Sequence, residues 1–351
     1  MKKIAVVGAG IIGSCTAWSL LKRGYQVDLF DKDIPMVHTS QSSSKLLHGG
    51  LRYLETGQLK LVHKALQARQ FWLLQAPHLC HQLKLLFPIY KHEGRPKWQI
   101  GLGTKLYDFL AKGSGFPHST WLNAEEVLQH SPNLKSQGLL GAYSFYDGQM
   151  DDYQLGLWVI EQIQNSGGQV FTGRPITNLD ELSDYDAIVN ATGPWVMTLR
   201  SQQATPPTIQ IDWVRGSHLF VNQPLQQALM LPIPNEKRIF FVLPYQGKTM
   251  IGTTEIRQDH PESEPASPEE IEYLLKSYNQ YHHSLLSTAD VCDTFAGVRP
   301  LLKDAVNPSN STREWAFETV GNVLHVYGGK WTTAQIQGEA AASCLENSFK
   351  L

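Results

Sequence analysis

Gly8, Gly10 and Gly13 stand at the spacing of a phosphate-binding turn, in the run Gly8-Ala9-Gly10-Ile11-Ile12-Gly13. Gly8 permits a tight turn. Gly10 lets a pyrophosphate reach the free N–H groups of a helix N-terminus, and Gly13 lets that helix pack close to its strand. Asp31 follows at the end of a second apolar run, where a ribose hydroxyl would be met. A different block, Ser43-Ser44-Lys45-Leu46-Leu47-His48-Gly49-Gly50-Leu51-Arg52-Tyr53-Leu54-Glu55, mixes hydroxyls, a lysine, a histidine and paired glycines. Hydroxyls and an ammonium suit phosphate or sugar oxygens, and paired glycines let a flat ring lie on backbone. A solvated loop with capping serines is the plainer alternative. Arg52, Arg299, Arg313 and Lys330 lie in or beside the unusual blocks, and together they would make an anion pocket. His48 and His218 sit in glycine-rich contexts, where a neutral imidazole can serve as a base near pH 7 or simply fill structure.

The elements that would position these groups can be read in order. Lys3-Ile4-Ala5-Val6-Val7 predicts a strand, Ser14 to Leu21 or Lys22 a helix closed by Gly24, and Gln26 to Phe30 a second strand. Leu59, Val62, Leu66 and Leu73 predict a helix over Gln58 to Gln75, with its tryptophan and phenylalanine in the core. Pro88-Ile89-Tyr90 predicts the start of a strand, and Arg95 to Ala111 a helix. Asn123 to Glu126 opens a short capped helix. Gly141 to Asp147 predicts a strand ended by a turn at Gly148, and Asp151 or Asp152 caps a helix Tyr153 to Asn165. Asp186 to Asn190 predicts a buried strand running into Ala191-Thr192-Gly193. From Ile209 the chain becomes β-rich, with a hairpin turning at Gln246-Gly247-Lys248. Ser267-Pro268-Glu269-Glu270 is a full capping box. Asn322 to Tyr327 is a strand entering Gly328-Gly329-Lys330-Trp331-Thr332-Thr333 and a last helix, Ala334 to Leu345.

The nucleotide-fold signatures fall at 1–31, 186–195 and 322–345, with other material between them. Nicotinamide folds usually keep the nucleotide domain contiguous, so this interleaving favours FAD. The expected fold class is α/β (α+β): a Rossmann-like FAD-binding domain from 1–80, 140–200 and 315–351, interleaved with a β-rich substrate-binding domain from 81–139 and 201–314. The chain has 351 residues, 18 % of them charged, with a net charge of −2. No basic excess exists to drive nucleic-acid binding. The four cysteines form no CxxC pair and the 13 histidines no HExxH spacing, so no metal site or disulfide frame is expected and the thiols read as cytoplasmic. No run approaches the apolar length of a transmembrane helix.

The block Ser43 to Glu55 resembles the signature of FAD-dependent glycerol-3-phosphate dehydrogenases, within the D-amino-acid-oxidase-like flavoenzymes. So do Asp147-Gly148-Gln149-Met150-Asp151-Asp152, Asn190 to Val196, Gly216-Ser217-His218, Ile251-Gly252-Thr253-Thr254, Gly297-Val298-Arg299-Pro300-Leu301, Thr312-Arg313-Glu314 and Gly328 to Thr333. The resemblance implies non-covalent FAD and oxidation of glycerol 3-phosphate, or a closely similar phosphorylated alcohol, by hydride transfer to flavin N5. Electrons would pass to a quinone or another acceptor. It implies that His218, with His48 second, takes the hydroxyl proton, and that Arg52, Tyr53, Arg299, Arg313 and Lys330 hold the substrate. Gly8, Gly10, Ile12, Gly13, Asp31, Ser43, Ser44, Lys45, His48, Gly49 and Gly50 would contact FAD. Ala191, Thr192, Gly193, Gly328, Gly329, Lys330, Trp331 and Thr332 would do so from the two later strand ends. The sequence departs from the family in four places. It ends just after the last FAD helix, where longer members carry a helical domain. Its segment between Val170 and Ile188 is too short for the usual β-meander. Arg215 and Trp331 replace a usual lysine and a usual aliphatic. A flavoenzyme acting on a 2-hydroxy acid or amine, and a non-catalytic FAD-binding relative, remain alternatives. Contact with the inner face of a membrane stays open.

Overall fold

The computed structural model describes residues 1–91, 93–303 and 315–349. The strand Lys3–Val7 pairs in parallel with Gln26–Phe30 on one side and Ala187–Asn190 on the other. Gln169–Phe171 and Val323–Gly328 extend the sheet at either side, also in parallel, and Trp315–Val320 closes one edge antiparallel. Ile4 and Val6 pack with Leu20, Val159 and Ala341, which lie on the helices Ile11–Lys22, Asp152–Asn165 and Ala334–Phe349. Ala5 and Val7 face the other way, onto Leu182 and Leu199. A strand covered on both faces is mostly apolar, as Lys3–Val7 is from Ile4 onward. The buried polar exceptions are partnered: Asp28 accepts the Tyr185 hydroxyl at 2.6 Å, and His325 lies 2.9 Å from the Asn190 amide.

The second sheet is mostly antiparallel and larger. Its centre is Ile211–Val221, Lys248–Gly252, Ile239–Tyr245, Ala228–Pro232, Cys80–Tyr90 and Leu139–Met150, in that order. Val291–Leu302 lies along Ile211–Val221 over its whole length. Alternate side chains separate two cores, as the period of a pleated strand requires. Leu229, Leu231, Val242 and Ile251 pack with Leu274 and Tyr278 of the helix Pro268–Tyr281. Met230, Leu243 and Met250 pack with Leu66 of the helix Leu59–Gln75 and Ile100 of the helix Lys97–Leu110. The expected hairpin is present, turned by Gln246 and Gly247, both at positive φ, as a two-residue turn between right-twisted strands needs.

Several local expectations change. Pro88-Ile89-Tyr90 ends a strand, Cys80–Tyr90, whose first half is hidden by the exposed His81 and Gln82. Gly148 is no turn; the strand runs through it to Met150, with Gly148 paired to Gln82 and Leu47. Leu139–Met150 and the short Leu46–Leu47 belong to the second sheet, whereas the sequence places 46–47 and 140–150 in the nucleotide half. Ala228–Pro232 and Trp315–Val320 are strands without a forecast.

Candidate active site

The first strand ends at Val7 and the chain turns at Gly8, with φ +104°. A Cβ on Gly8 would lie 2.5 Å from the Ala191 carbonyl oxygen, and one on Gly13 would lie 1.9 Å from the Gly8 oxygen. Neither position tolerates a side chain, so the glycine turn, the first helix and the Ala191 loop meet backbone to backbone. Gly10 is the N-cap of the helix, and the next N–H, that of Ile11, donates to Ser40 Oγ at 2.9 Å. Asp31 accepts the Ala9 N–H at 2.6 Å and the Asp33 N–H at 3.0 Å. Burial pushes its carboxyl pKa up, against the pull of those two donors. Asp31 thus braces the glycine turn from within while also facing the cavity.

The two later strand ends are fixed by side chains. Asn190 accepts the Thr192 hydroxyl at 2.8 Å, and its amide lies 2.9 Å from His325 Nδ1. Burial lowers the His325 pKa to about 4, so this ring is neutral. At the last strand, Gly329 has φ +101°, and a Cβ there would strike Gln337. Thr332 Oγ1 accepts the His48 N–H at 3.2 Å, the Trp72 indole donates to the Thr332 carbonyl at 2.9 Å, and the Trp331 indole donates to the Ser40 carbonyl at 2.9 Å. The serine-rich loop, His48 and the N-terminus of the last helix are stitched together by these bonds.

On the side of the second sheet stands His218. Its Nε2 lies 2.8 Å from Ser44 Oγ, and its ring stacks on Phe295 with centroids 4.6 Å apart. A Cβ on Gly252, its cross-strand partner, would fall 2.1 Å from the ring. Burial, reinforced by the positive charges of Lys45 and Arg299, lowers the His218 pKa to about 3. The imidazole is therefore neutral at ordinary pH. Arg299 donates from Nη2 to the Thr254 carbonyl at 3.2 Å. Lys330 Nζ lies 4.2 Å above the Tyr53 ring.

All these segments line one cavity of about 470 Å³. Of the expected residues, Gly8, Gly10, Ile12, Asp31, Ser43, Ser44, His48, Tyr53, Ala191, Thr192 and Gly193 stand in its wall, as do His218, Arg299, Gly328, Gly329, Lys330, Trp331 and Thr332. Others lie outside that wall. Gly13 packs on Gly8. Lys45, expected on the cofactor, has φ +57° and binds its ammonium to Asp152 at 2.6 Å and to the Gln41 carbonyl at 2.5 Å. Gly49 gives its N–H to the Tyr107 hydroxyl at 2.7 Å, which in turn donates to Asp147. Gly50, at φ +78°, and Arg52 belong to the 3-10 turn next to Tyr53. Arg313 lies outside the described residues. Ser40, Thr253, Asn190, Asp152 and Glu270 are structural parts of the site that composition and spacing do not single out. The two acids look like ordinary helix caps in the sequence, and Asn190, Thr253 and Asp152 are marked there only as members of the motifs that carry the resemblance.

The family model described as FAD dependent oxidoreductase matches residues 3–343. Among curated proteins, the chain is 33% identical over 374 residues to the aerobic glycerol-3-phosphate dehydrogenase of Escherichia coli (strain K12), covering 98% of this chain and 73% of that protein. It is also 33% identical, over 371 residues, to the D-erythritol 1-phosphate dehydrogenase of Brucella abortus (strain 2308), covering 98% of this chain and 73% of that protein. Among solved structures, the glycerol-3-phosphate dehydrogenase from Bacillus halodurans complexed with FAD superposes with a TM-score of 0.78 at 25% identity, covering 100% of this chain and 65% of that one.

Proposed function

The chain belongs to the FAD-dependent oxidoreductase family, and on that premise we propose that it oxidises glycerol 3-phosphate, or a closely similar phosphorylated alcohol, to the ketone. The observation that carries the reading is the meeting of His218, Arg299, Lys330 and Tyr53 in one cavity with the glycine turn at Gly8. The cavity fits the cofactor. Gly8 and Gly13 leave no room for side chains, Gly10 sits at a helix N-terminus, and Asp31 closes the far end, as a pyrophosphate and ribose require. FAD, when bound, supplies the hydride acceptor.

The protein's own groups do the rest. Arg299 and Lys330, both in the cavity wall, provide positive charge for a phosphate ester, and the resemblance alone adds Arg52 and Arg313 to that set. Their work is orientation, which accounts for a large part of any rate in a site of this kind. His218, neutral and already hydrogen-bonded through Nε2, takes the proton of the substrate hydroxyl. A bound phosphate offsets the cations that depress its pKa, so substrate binding strengthens the base. His48, tied through its N–H to Thr332, holds the loop on the cofactor side.

The electron acceptor is a quinone or another carrier, reached at a membrane surface. No helix among the described residues is long and apolar enough to cross a membrane. The helix Lys97–Leu110 exposes Trp98, Leu102 and Phe109 along one face, at 71%, 64% and 70%. Lys105 stands exposed on that face, and the exposed Lys112 follows the end of the helix. Apolar side chains flanked by lysines suit peripheral contact with an anionic bilayer. Vesicles containing anionic phospholipid should sediment the protein, and Trp98→Ser with Phe109→Ser should release it.

The substrate assignment is tested anaerobically. Purified protein should be yellow, and glycerol 3-phosphate should bleach the flavin. Glycerol, lactate and glycine should not. Bleaching by lactate or glycine instead would move the protein to 2-hydroxy acids or amines, and a flavin that no substrate bleaches would leave a binding protein.

A further inference from the structure

We propose that Glu270 is a positioning residue for the substrate side of the site, a role that rests on the reading of His218 and Arg299 given above. Glu270 is the third residue of the helix Pro268–Tyr281 and completes its capping box with Ser267. A cap needs one acceptor for one backbone N–H, and a solvent-facing carboxylate supplies it. Glu270 is instead 1% exposed. Its carboxylate accepts four donors. The Thr254 hydroxyl lies at 2.6 Å, the Ser217 hydroxyl and Arg215 Nη2 each at 2.8 Å, and the Ser267 N–H at 3.0 Å. Burying a carboxylate is tolerated only when its oxygens are satisfied in this way. Three of the four donors come from outside the helix, and they stand beside the residues that line the cavity.

Ser217 precedes His218 in the same strand and points to the opposite face, so its hydroxyl holds the strand from behind. Thr254 follows Thr253, a wall residue, and its carbonyl accepts Arg299 Nη2. Thr254 Oγ1 also accepts the Ser217 N–H at 2.9 Å, which locks the two segments to each other. One buried carboxylate therefore sets the spacing between the His218 strand and the Thr253–Thr254 segment, and through Thr254 it sets Arg299. The helix N-terminus adds its own stabilisation of the negative charge. The helix is the rigid back wall of the substrate side.

Cap and brace separate experimentally. Ser217→Ala with Thr254→Val removes the brace and leaves the Ser267 cap and the Arg215 ion pair. Ser267→Ala weakens the cap and leaves the brace. Flavin content, thermal midpoint, inorganic phosphate binding read by flavin absorbance, and anaerobic reduction by glycerol 3-phosphate are measured for each. The brace variant should keep its FAD, yet lose roughly tenfold to a hundredfold in reduction rate, the order expected for a misplaced substrate. It should also bind phosphate more weakly. Ser267→Ala should lower the midpoint and leave the rate unchanged. A brace variant with wild-type rate and phosphate affinity overturns the proposal, as does equal rate loss in both variants. If the wild type itself is not reduced by glycerol 3-phosphate, the substrate reading fails, and phosphate binding alone then decides the brace.

Discussion

His218 is confined on three sides. Ser44 holds Nε2, Phe295 covers one ring face, and the absence of a side chain at Gly252 makes room for the ring edge. Gly252→Ala would put a methyl 2.1 Å from that ring, which can neither rotate without breaking the Ser44 contact nor tilt into Phe295. The expected outcome is a protein that folds and stays yellow, with flavin reduction as impaired as in His218→Ala. For the latter, loss of a proton acceptor predicts a fall of about 10²–10⁴ in the anaerobic reduction rate. Stopped-flow bleaching measures both, and a wild-type rate in His218→Ala would remove this residue from the mechanism. Sequence alone presents His218 as one of two histidines in glycine-rich surroundings. The glycines around His48 and His218 are legible there, but their purposes differ. Gly252 clears space for an imidazole 34 positions away in the chain, a relation that only the strand register creates.

The serine-rich loop illustrates what the elements add. Residues 39–48 have little regular structure, yet they line the cavity between the two sheets. They are held by the N-terminus of the helix Asp152–Asn165. Asp151 takes the capping role by accepting the Gln154 N–H at 3.0 Å, which frees Asp152 for the loop. Asp152, whose side chain is fully buried, accepts the Ser43 N–H and hydroxyl and the Lys45 ammonium, all within 3.0 Å. A charge left alone there is costly, so Asp152→Ala should lower the stability of the FAD-loaded protein by about 3–5 kcal/mol. Lys45→Met with Asp152→Leu should recover much of that loss, because no charge remains buried. Urea unfolding of the three proteins tests this, and a double variant no better than the single would show that the pair contributes geometry beyond charge balance. In the sequence, Asp151-Asp152 reads as a choice of caps and Lys45 as a phosphate ligand. Both readings follow from local chemistry. The actual partner of Lys45 lies 107 residues away, and no spacing rule connects them. The first βαβ unit is the opposite case. Its strand, turn, helix and acid are contiguous, and Gly13 packs on Gly8 within the unit, so it is read nearly residue for residue, although what Gly8 itself makes room for is the distant Ala191 carbonyl.

Across the whole molecule, the parallel sheet presents its strand ends to a large antiparallel sheet, and each half buries histidines it uses as neutral hydrogen-bonding groups. His218 lies at the site, His325 braces the Ala191–Gly193 loop, and His282 stacks on Tyr278 in the core of the second half. Burial depresses their pKa values to about 3, 4 and 4. In the unfolded chain each titrates near 6.5. Below that pH the unfolded state takes up protons that the folded state refuses, so stability rises with pH from about 3 or 4 up to 6.5 and is lost as pH falls through that window. Each histidine contributes at most about 1.4 kcal/mol per pH unit. The thermal midpoint of the FAD-loaded protein should therefore be clearly lower at pH 5 than at pH 7. His282→Gln, remote from the cavity, should flatten this dependence without altering flavin reduction. The carboxylates work in the same direction only where their folded pKa is lowered, as for Glu318 beneath Arg200, and that contribution is confined to more acidic pH. A midpoint unchanged between pH 7 and 5 would mean that these rings find protons or partners in the folded state. The neutral charge state argued for His218, and with it its use as a base, would then have to be abandoned.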